Sequence, residues 1–411
     1  MRYVIIGNSA GGIGAVEGIR QVDAKGEITV ISNEPYHTYS RPLISYMLSG
    51  KTDRNKMRYR GDGFYAENNC KTLFSKNAIR ICKKEKKVIL DDGSEIAYDK
   101  LLVATGSSPF VPPMKGLEKV ENSFTFMSLD DAEKLEMAIT PSSRILIIGA
   151  GLIGLKCAEG IQKKVGNIYV IDLAPRILSS ILDDEGSGIV RQHIEKSGIQ
   201  FSLSCSVKSF TKNKALLSNG ETIEFDILVL AVGVRPSTVL VKDAGGNVNR
   251  GIVTNDLMET SIPDIYAAGD CVESHDITIG ENRVLALLPN AYMQGECAGI
   301  NMAGGKKAFG KAIPMNAIEF FGLSVITAGS YIGKAYTGTQ GGKAYKKLFV
   351  DNGVLKGYIL IGNVEKAGIY TALIREKTPL DTLDFNLIFE KPGLMAFSKA
   401  DREVKLGGAA G

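Results

Sequence analysis

Apolar residues along this chain come mostly in short unbroken runs rather than in alternation, and two of the runs stop abruptly on glycines. Tyr3-Val4-Ile5-Ile6 leads into Gly7-Asn8-Ser9-Ala10-Gly11-Gly12, and Ile145-Leu146-Ile147-Ile148 leads into Gly149-Ala150-Gly151-Leu152-Ile153-Gly154. A continuous apolar run of four or five residues is the mark of a strand buried on both faces, as in a parallel sheet. Helical spacing follows each turn, from Ile13 to Val22 in the first case, and a second strand comes next: Ile28–Ile31 and Ile168–Ile171. Further strands are predicted at Lys87–Leu90, Glu95–Tyr98, Leu101–Val103, Ile227–Val232 and Ile265–Ala267. Beyond Pro314 the pattern becomes strand-rich and includes two runs, Lys347–Val350 and Leu355–Tyr358, joined across Asp351-Asn352-Gly353. An Asn-Gly pair between two such runs predicts a tight hairpin.

A strand, a glycine turn and a helix in that order form the context in which a pyrophosphate rests on a helix N-terminus. Two such turns imply two dinucleotides and electron transfer between them, one FAD and one nicotinamide cofactor. The expected fold is α/β, with two Rossmann-like domains, one inserted in the other, and a C-terminal α+β domain. The expected boundaries are 1–116 and 249–314 for the FAD domain, 117–248 for the inserted NAD(H) domain, 315–406 for the C-terminal domain and 407–411 for a flexible tail. The segment Pro109-Phe110-Val111-Pro112-Pro113 cannot continue a helix and marks the exit into the insert.

Composition narrows the picture by exclusion. A net charge of +4 over 411 residues, with the basic residues dispersed, gives no reason to expect nucleic acid. Lys83-Lys84-Glu85-Lys86-Lys87 reads as an exposed hairpin. The first strand starts at residue 2 or 3, leaving no space for a signal peptide, and no uncharged apolar stretch approaches ~18 residues, so neither secretion nor a membrane span is expected. The six cysteines (Cys70, Cys82, Cys157, Cys205, Cys271, Cys297) are scattered with no CxxC pair. That spacing speaks against a zinc ribbon, a cysteine-held iron-sulfur cluster and a dithiol centre, and fits a reducing cytoplasm. No metal ligand set is expected.

Taken together, the chain resembles the pyridine nucleotide-dependent flavoprotein reductases over essentially its whole length. It is most similar to their NADH:rubredoxin oxidoreductase and nitrite reductase-like branch, which includes flavoproteins associated with carbon monoxide dehydrogenase. The narrower likeness rests on Tyr39-Ser40-Arg41-Pro42-Leu43-Ile44-Ser45, on Pro289-Asn290-Ala291-Tyr292-Met293-Gln294-Gly295 and on Asn316–Leu323. For the FAD site the resemblance implies Gly7, Ser9 (where relatives have glycine), Ala10, Gly11 and Gly12 at the pyrophosphate. It implies Asn33 or Glu34 at the adenosine ribose, Arg41 and Pro42 beside the flavin or its pyrophosphate, and Ala104-Thr105-Gly106 at the crossing between domains. Gly269 and Asp270 are expected at the ribityl or pyrophosphate region, with the helix opening at Pro289, Asn290 and Ala291 aimed at the flavin.

For the nicotinamide site the resemblance implies Gly149, Gly151, Leu152, Ile153 and Gly154 at the pyrophosphate, and Gly233 against the nicotinamide half. Asp172, 23 positions after Gly149, is expected on the ribose hydroxyls, where its charge favours NADH over NADPH; Arg176 nearby argues the other way. Relatives often pair a lysine and a glutamate beside the flavin. Here those positions are Tyr46 and Lys156, which leads to the expectation that the acid is dropped and that Lys156 supplies positive field to the reduced ring.

No cysteine lies between Ile28 and Cys70, so the thiol relay of disulfide reductases and peroxidases is missing. Electrons are expected to leave the flavin directly, to a small iron or iron-sulfur carrier of the rubredoxin or ferredoxin type, in either direction. An NADH oxidase reducing dioxygen is the enzymatic alternative, and an NAD-responsive scaffold is the alternative of another class. The C-terminal domain leaves homodimer formation and partner docking both open. A variant with all six cysteines replaced by serine or alanine is expected to keep NADH-driven reduction of an iron-sulfur acceptor. Cys271, next to Asp270, is the thiol expected to come nearest the cofactor. Loss of acceptor reduction on Cys271→Ala alone, with flavin bleaching intact, would show that a thiol takes part.

Overall fold

Two five-stranded parallel sheets in this chain are built on one plan. The computed structural model describes residues 1–340, 344–398 and 402; the expected tail at 407–411 lies outside the described residues. In the first sheet the order is Ile265–Ala267, Lys100–Val103, Arg2–Ile6, Glu27–Ile31, Cys70–Leu73. In the second it is Ser123–Thr125, Ile227–Leu230, Arg144–Ile148, Asn167–Ile171, Ile199–Ser202. All neighbours within each are parallel. The two glycine-ended runs supply the central strands, buried at every position but the first, which is why they read as unbroken apolar runs. Each sheet also carries a three-stranded antiparallel meander in the same place, between the strand Cys70–Leu73 and the strand Lys100–Val103 in the first and between Ile199–Ser202 and Ile227–Leu230 in the second. One is Ala78–Cys82, Lys87–Leu90 and Glu95–Ala97; the other is Val207–Phe210, Lys214–Leu217 and Thr222–Glu224. The copies differ in their outer strand. In the first it arrives late, after the insert, whereas in the second it precedes the central strand.

Two short strands, Ser107–Pro109 and Val234–Pro236, pair antiparallel where the chain passes between the two folds. The Thr105 hydroxyl donates to the Ser237 carbonyl at 2.6 Å, and Ser237 N–H donates to the Gly106 carbonyl at 2.9 Å.

By its internal contacts the chain forms two units, one of residues 1–179, 194–275 and 282–312, the other of residues 180–193, 276–281 and 313 onward. The 117–248 insert is thus not one unbroken block, because residues 180–193 group with the C-terminal part. In that unit Asp183 accepts from Lys347 Nζ at 2.6 Å and from the Tyr345 hydroxyl at 2.9 Å. The unit is built on an antiparallel sheet of order Met315–Phe320, Leu323–Gly329, Val354–Ile361, Ala344–Asp351, Lys334–Gln340, with the helix Ala367–Glu376 packed on it. Asn352 and Gly353 both take positive φ (50° and 72°), the two-residue hairpin turn that their sequence predicts.

Within the first unit, the helix Ala10–Val22 lies against the helix Leu288–Met302 at backbone contact. A methyl group on Gly295 would overlap the Gly11 carbonyl, and one on Gly299 the Ala15 carbonyl. From the other side, Gly14 and Gly18 meet the carbonyls of Tyr292 and Glu296. The paired numbers rise together, so the helices run parallel. Replacing Gly295 by alanine forces them apart and is expected to cost about 1–3 kcal/mol, as for an overpacked core. Gly61, whose added methyl meets nothing within 4 Å, is the control. Denaturant titration should show Gly295→Ala destabilised and Gly61→Ala within error of the unmodified protein.

Candidate functional site

Both parallel helices begin at the same cavity. It has a volume of about 680 Å³, and its wall includes Ser9, Ala10 and Gly11 from the first helix start and Leu288 and Ala291 from the second. Each helix N-terminus carries about half a positive charge, so an anion between them is favoured by both. Gly7 sits at φ 122°, and a methyl there would overlap the Ala104 carbonyl. Gly12 lies beneath the turn, where a methyl would overlap the Gly7 carbonyl. These two glycines allow strand, turn and helix to close up, leaving the turn's outer face open to a ligand.

Most residues expected for FAD converge here. Gly7, Asn33, Glu34, Arg41, Ala104, Thr105, Gly106, Gly269 and Asp270 also line the cavity; Gly12, Pro42, Pro289 and Asn290 do not. Gly12 and Asn290 are buried behind the wall, and Pro42 is exposed on the short turn Arg41–Leu43. Asn290 and Pro289 serve the start of the helix rather than its cavity face. The wall also holds residues that periodicity and motif did not reveal: Asn8, Ser32, Lys76–Ala78 and, from the insert, Thr125, Met127, Ser128 and Asp130. Only Ser128-x-x-Asp131 carried a readable signal. It is a capping box for the helix Leu129–Ala138, with Asp131 N–H donating to the Ser128 hydroxyl at 3.1 Å.

Glu34 and Arg41 form an ion pair. The Tyr39 hydroxyl donates to Glu34 Oε1 at 2.7 Å and accepts from Arg41 Nη1 at 3.2 Å, and Leu129 N–H donates to that same hydroxyl at 3.0 Å. Both Glu34 oxygens are therefore engaged in holding Arg41 at the cavity. Asp270 is half-buried at the cavity wall. Burial raises its pKa above the usual carboxylate range, against smaller opposing effects of the Ser107 hydroxyl, which donates at 3.3 Å, and of Arg41. Gln294, buried in the second helix, accepts from Gly269 N–H at 2.7 Å and so fixes the backbone next to Asp270.

The second glycine turn repeats the first atom group by atom group. Gly149 has φ 114°, and a methyl there would overlap the Ala231 carbonyl; a methyl on Gly154 would overlap the Gly149 carbonyl. Gly149 N–H donates to Ile171 O at 2.8 Å, as Gly7 N–H does to Ile31 O at 2.9 Å. That register makes Ser32, not Asn33, the counterpart of Asp172. Asp172 accepts from Ala150 N–H at 2.6 Å and from Ala174 N–H at 2.8 Å. Gly151, Leu152 and Ile153 open the helix Leu152–Ile161 beside it. Gly233, at φ 110°, has open space where a side chain would be. None of these residues lines the first cavity.

One expectation needs correction. The acid beside Lys156 is not dropped, because Lys156 pairs with Glu159 one turn further on. Lys156 Nζ also lies 4.3 Å from the Tyr46 ring centre, and Lys51 approaches that ring at 5.3 Å and Glu159 at 3.5 Å. Positions 46 and 156 do meet, but in a cluster of two lysines and one glutamate that does not line the cavity. Cys271 does not itself line the cavity but lies directly behind residues that do, Ala268 among them. It is fully buried, its thiol donating to the carbonyls of Ala268 and Val103 at 3.3 and 3.6 Å, and burial pushes its pKa up to about 11.

The raised pKa of Asp270 has a consequence for stability. Because the folded value lies above the unfolded one, its contribution is full below the ordinary carboxylate pKa and is lost as pH rises through the folded value. In flavin-free protein, Asp270→Asn is therefore expected to raise the melting midpoint at pH 7 by roughly 1–3 °C and to leave it unchanged near pH 3. Equal shifts at both values would remove the carboxylate's charge from the explanation.

Comparison with known proteins agrees with this geometry. Residues 1–295 match the family described as pyridine nucleotide-disulphide oxidoreductase, and residues 314–378 match the rubredoxin NAD+ reductase C-terminal domain. The chain is 31% identical to the NADH-dependent phenylglyoxylate dehydrogenase subunit epsilon of Aromatoleum evansii, covering 93% of each. It is 32% identical to the nitrite reductase [NAD(P)H] of Bacillus subtilis over 88% of this chain, but spans only 44% of that protein. The solved structure of NADH:rubredoxin oxidoreductase from Clostridium acetobutylicum superposes with a TM-score of 0.73 at 26% identity, covering 93% of this chain and 97% of that one. Among the described residues no helix is long and apolar enough to cross a membrane, and no cluster of side chains is arranged to hold a metal. A cavity between two helix N-termini, a second turn of the same build and a family match over most of the chain lead to one conclusion: this protein belongs to the pyridine nucleotide-disulphide oxidoreductase family and is an NAD(P)H-dependent flavin oxidoreductase that uses FAD.

Proposed function

We propose that the chain takes electrons from NADH through FAD and delivers them to a one-electron protein carrier of the rubredoxin or ferredoxin type, with no redox-active cysteine. The observation that carries this reading is the absence of any of the six cysteines from the cavity wall. Four of the six are buried, and Cys70 and Cys82 are only partly exposed. With no thiol to relay a pair of electrons, a direct acceptor at the flavin is required. The match of residues 314–378 to a rubredoxin reductase C-terminal domain supports a small iron protein in that role.

Bound FAD supplies acceptance of a hydride from the nicotinamide and release of electrons singly. The residues here hold and orient it. The first turn, from Gly7 to Gly11, takes the pyrophosphate with its backbone N–H groups, and Arg41, steadied by Glu34, adds a fixed positive charge. Asp270 accepts from hydroxyls of the ribityl chain, which relieves the cost of its burial. The start of the helix Leu288–Met302 faces the ring, where negative charge grows on reduction. Gly149, Gly151 and Gly154 take the pyrophosphate of NADH. Asp172 closes its ribose end and disfavours a further phosphate there.

Two measurements test the reading. NADH is expected to bleach the flavin faster than NADPH, with Asp172→Asn narrowing the gap by about tenfold, the value of one charge interaction of ~1.4 kcal/mol. NADPH preferred by the unmodified protein would make Arg176 the deciding residue. The NADH-reduced protein is then mixed with rubredoxin, ferredoxin or air-saturated buffer. Reoxidation by an iron carrier should outpace dioxygen by at least an order of magnitude, and the reverse order would make the protein an oxidase.

A further inference from the structure

The two dinucleotide turns share one backbone but differ in polarity. Ser9 and Gly151 both stand immediately before their helices in extended backbone, at φ −110° and ψ −166° and at φ −84° and ψ −171°. Neither conformation requires glycine, and a methyl on Gly151 would meet nothing within 4 Å. A serine at this position normally turns its hydroxyl back onto the N–H groups of the first helical turn. Ser9 makes no such bond, and it lines the cavity. In the second turn the polarity is reversed. No hydroxyl is present, and the Asp172 carboxylate takes up the Ala150 N–H within the turn itself. The register-equivalent Ser32 in the first turn is uncharged and buried, and its hydroxyl accepts from Glu34 N–H at 3.2 Å, outside the turn.

We propose that Ser9 is the residue that makes the first site a retaining one, its hydroxyl donating to the FAD pyrophosphate, while the second turn, with a glycine there and a carboxylate on its own N–H, is built to release its dinucleotide. The inference rests on the assignment of FAD to the first turn and NADH to the second. It does not rest on the identity of the electron acceptor. A hydroxyl donating to a charged oxygen is stronger than one between neutral groups, and the carboxylate of Asp172 both uses a turn N–H and repels a phosphate. The same backbone thus binds an anion with two different strengths. A flavoreductase needs that difference, because its flavin stays through many turnovers while nicotinamide must exchange in each.

The test is a reciprocal exchange read by binding. FAD affinity is measured by fluorescence titration of flavin-free protein, and NAD+ affinity by calorimetry of FAD-loaded protein. Ser9→Gly and Ser9→Ala are each expected to weaken FAD about tenfold, and Ser9→Thr, which keeps the hydroxyl, to stay within threefold of the unmodified protein. Gly151→Ser, for which there is room, is expected to tighten NAD+ by about three- to tenfold, with a slower dissociation rate. Thermal unfolding of the flavin-free variants checks that the fold is retained. If any Ser9 variant does not fold, Gly151→Ser decides the matter alone. Unchanged or tighter FAD binding in Ser9→Gly would show that the serine only crowds the turn, and this overturns the proposal. Unchanged or weaker NAD+ binding in Gly151→Ser overturns it equally. Neither outcome touches the carrier reading, which depends on what reoxidises the flavin. Failure of every carrier with these binding shifts intact would sink only that reading.

Discussion

Everything at the flavin-side cavity depends on the backbone contact between the helices Ala10–Val22 and Leu288–Met302. Four glycines, Gly14, Gly18, Gly295 and Gly299, let the two run parallel at backbone contact. Parallel helices at this distance place like ends of two macrodipoles side by side, which is unfavourable without a counter-charge. The arrangement is sustained by packing along the helix bodies, where Ile13, Val16, Ile19, Cys297, Ala298 and Met302 share one core. It leaves two helix N-termini facing one cavity. The geometry therefore selects an anion with a long body, which is what a dinucleotide is.

Around that anion-seeking centre the fixed charges are placed with restraint. Arg41 is the cation at the wall whose position is set most fully, since Glu34 and Tyr39 engage it and Tyr39 also accepts from the start of an insert helix. Asp270 is an acid at the same wall whose burial favours its neutral form. Such a carboxylate is costly in the empty protein and useful once hydroxyls surround it. The fold thus carries a local instability where its ligand sits, a common trade between stability and function. The Lys156–Glu159–Tyr46–Lys51 cluster, by contrast, pairs its charges within the protein and does not line the cavity.

The duplication shows how one backbone is put to two uses. Strand order, meander, turn and the carbonyl under each first glycine recur in both halves. What changes are side chains at equivalent places, among them Ser9 against Gly151 and Ser32 against Asp172. Positions that close the turn cannot vary, because a Cβ there would meet a backbone carbonyl. Positions that face outward, such as Gly151, have room for a side chain.

Much of this was already determined by the sequence alone. Unbroken apolar runs ending on glycine specify buried parallel strands and close turns, because burial on both faces forbids alternation and a Cβ on the turn glycine would meet a backbone carbonyl. The Asn-Gly hairpin was equally legible, since both of its residues must take positive φ. Local rules of this kind act between neighbours, and neighbours are what a sequence displays. Contacts over long sequence separations were decided only in the tertiary structure. These include the partnership of Glu34 with Arg41 and Tyr39, the burial of Cys271 behind the cavity wall, the cluster joining Lys156 to Tyr46, and the grouping of residues 180–193 with the C-terminal sheet. The counterpart of Asp172 likewise became clear only from strand register, which is fixed by hydrogen bonds between chains of residues far apart. A motif records which groups a turn needs. Which of those groups remain available to a ligand depends on what the rest of the fold brings against them.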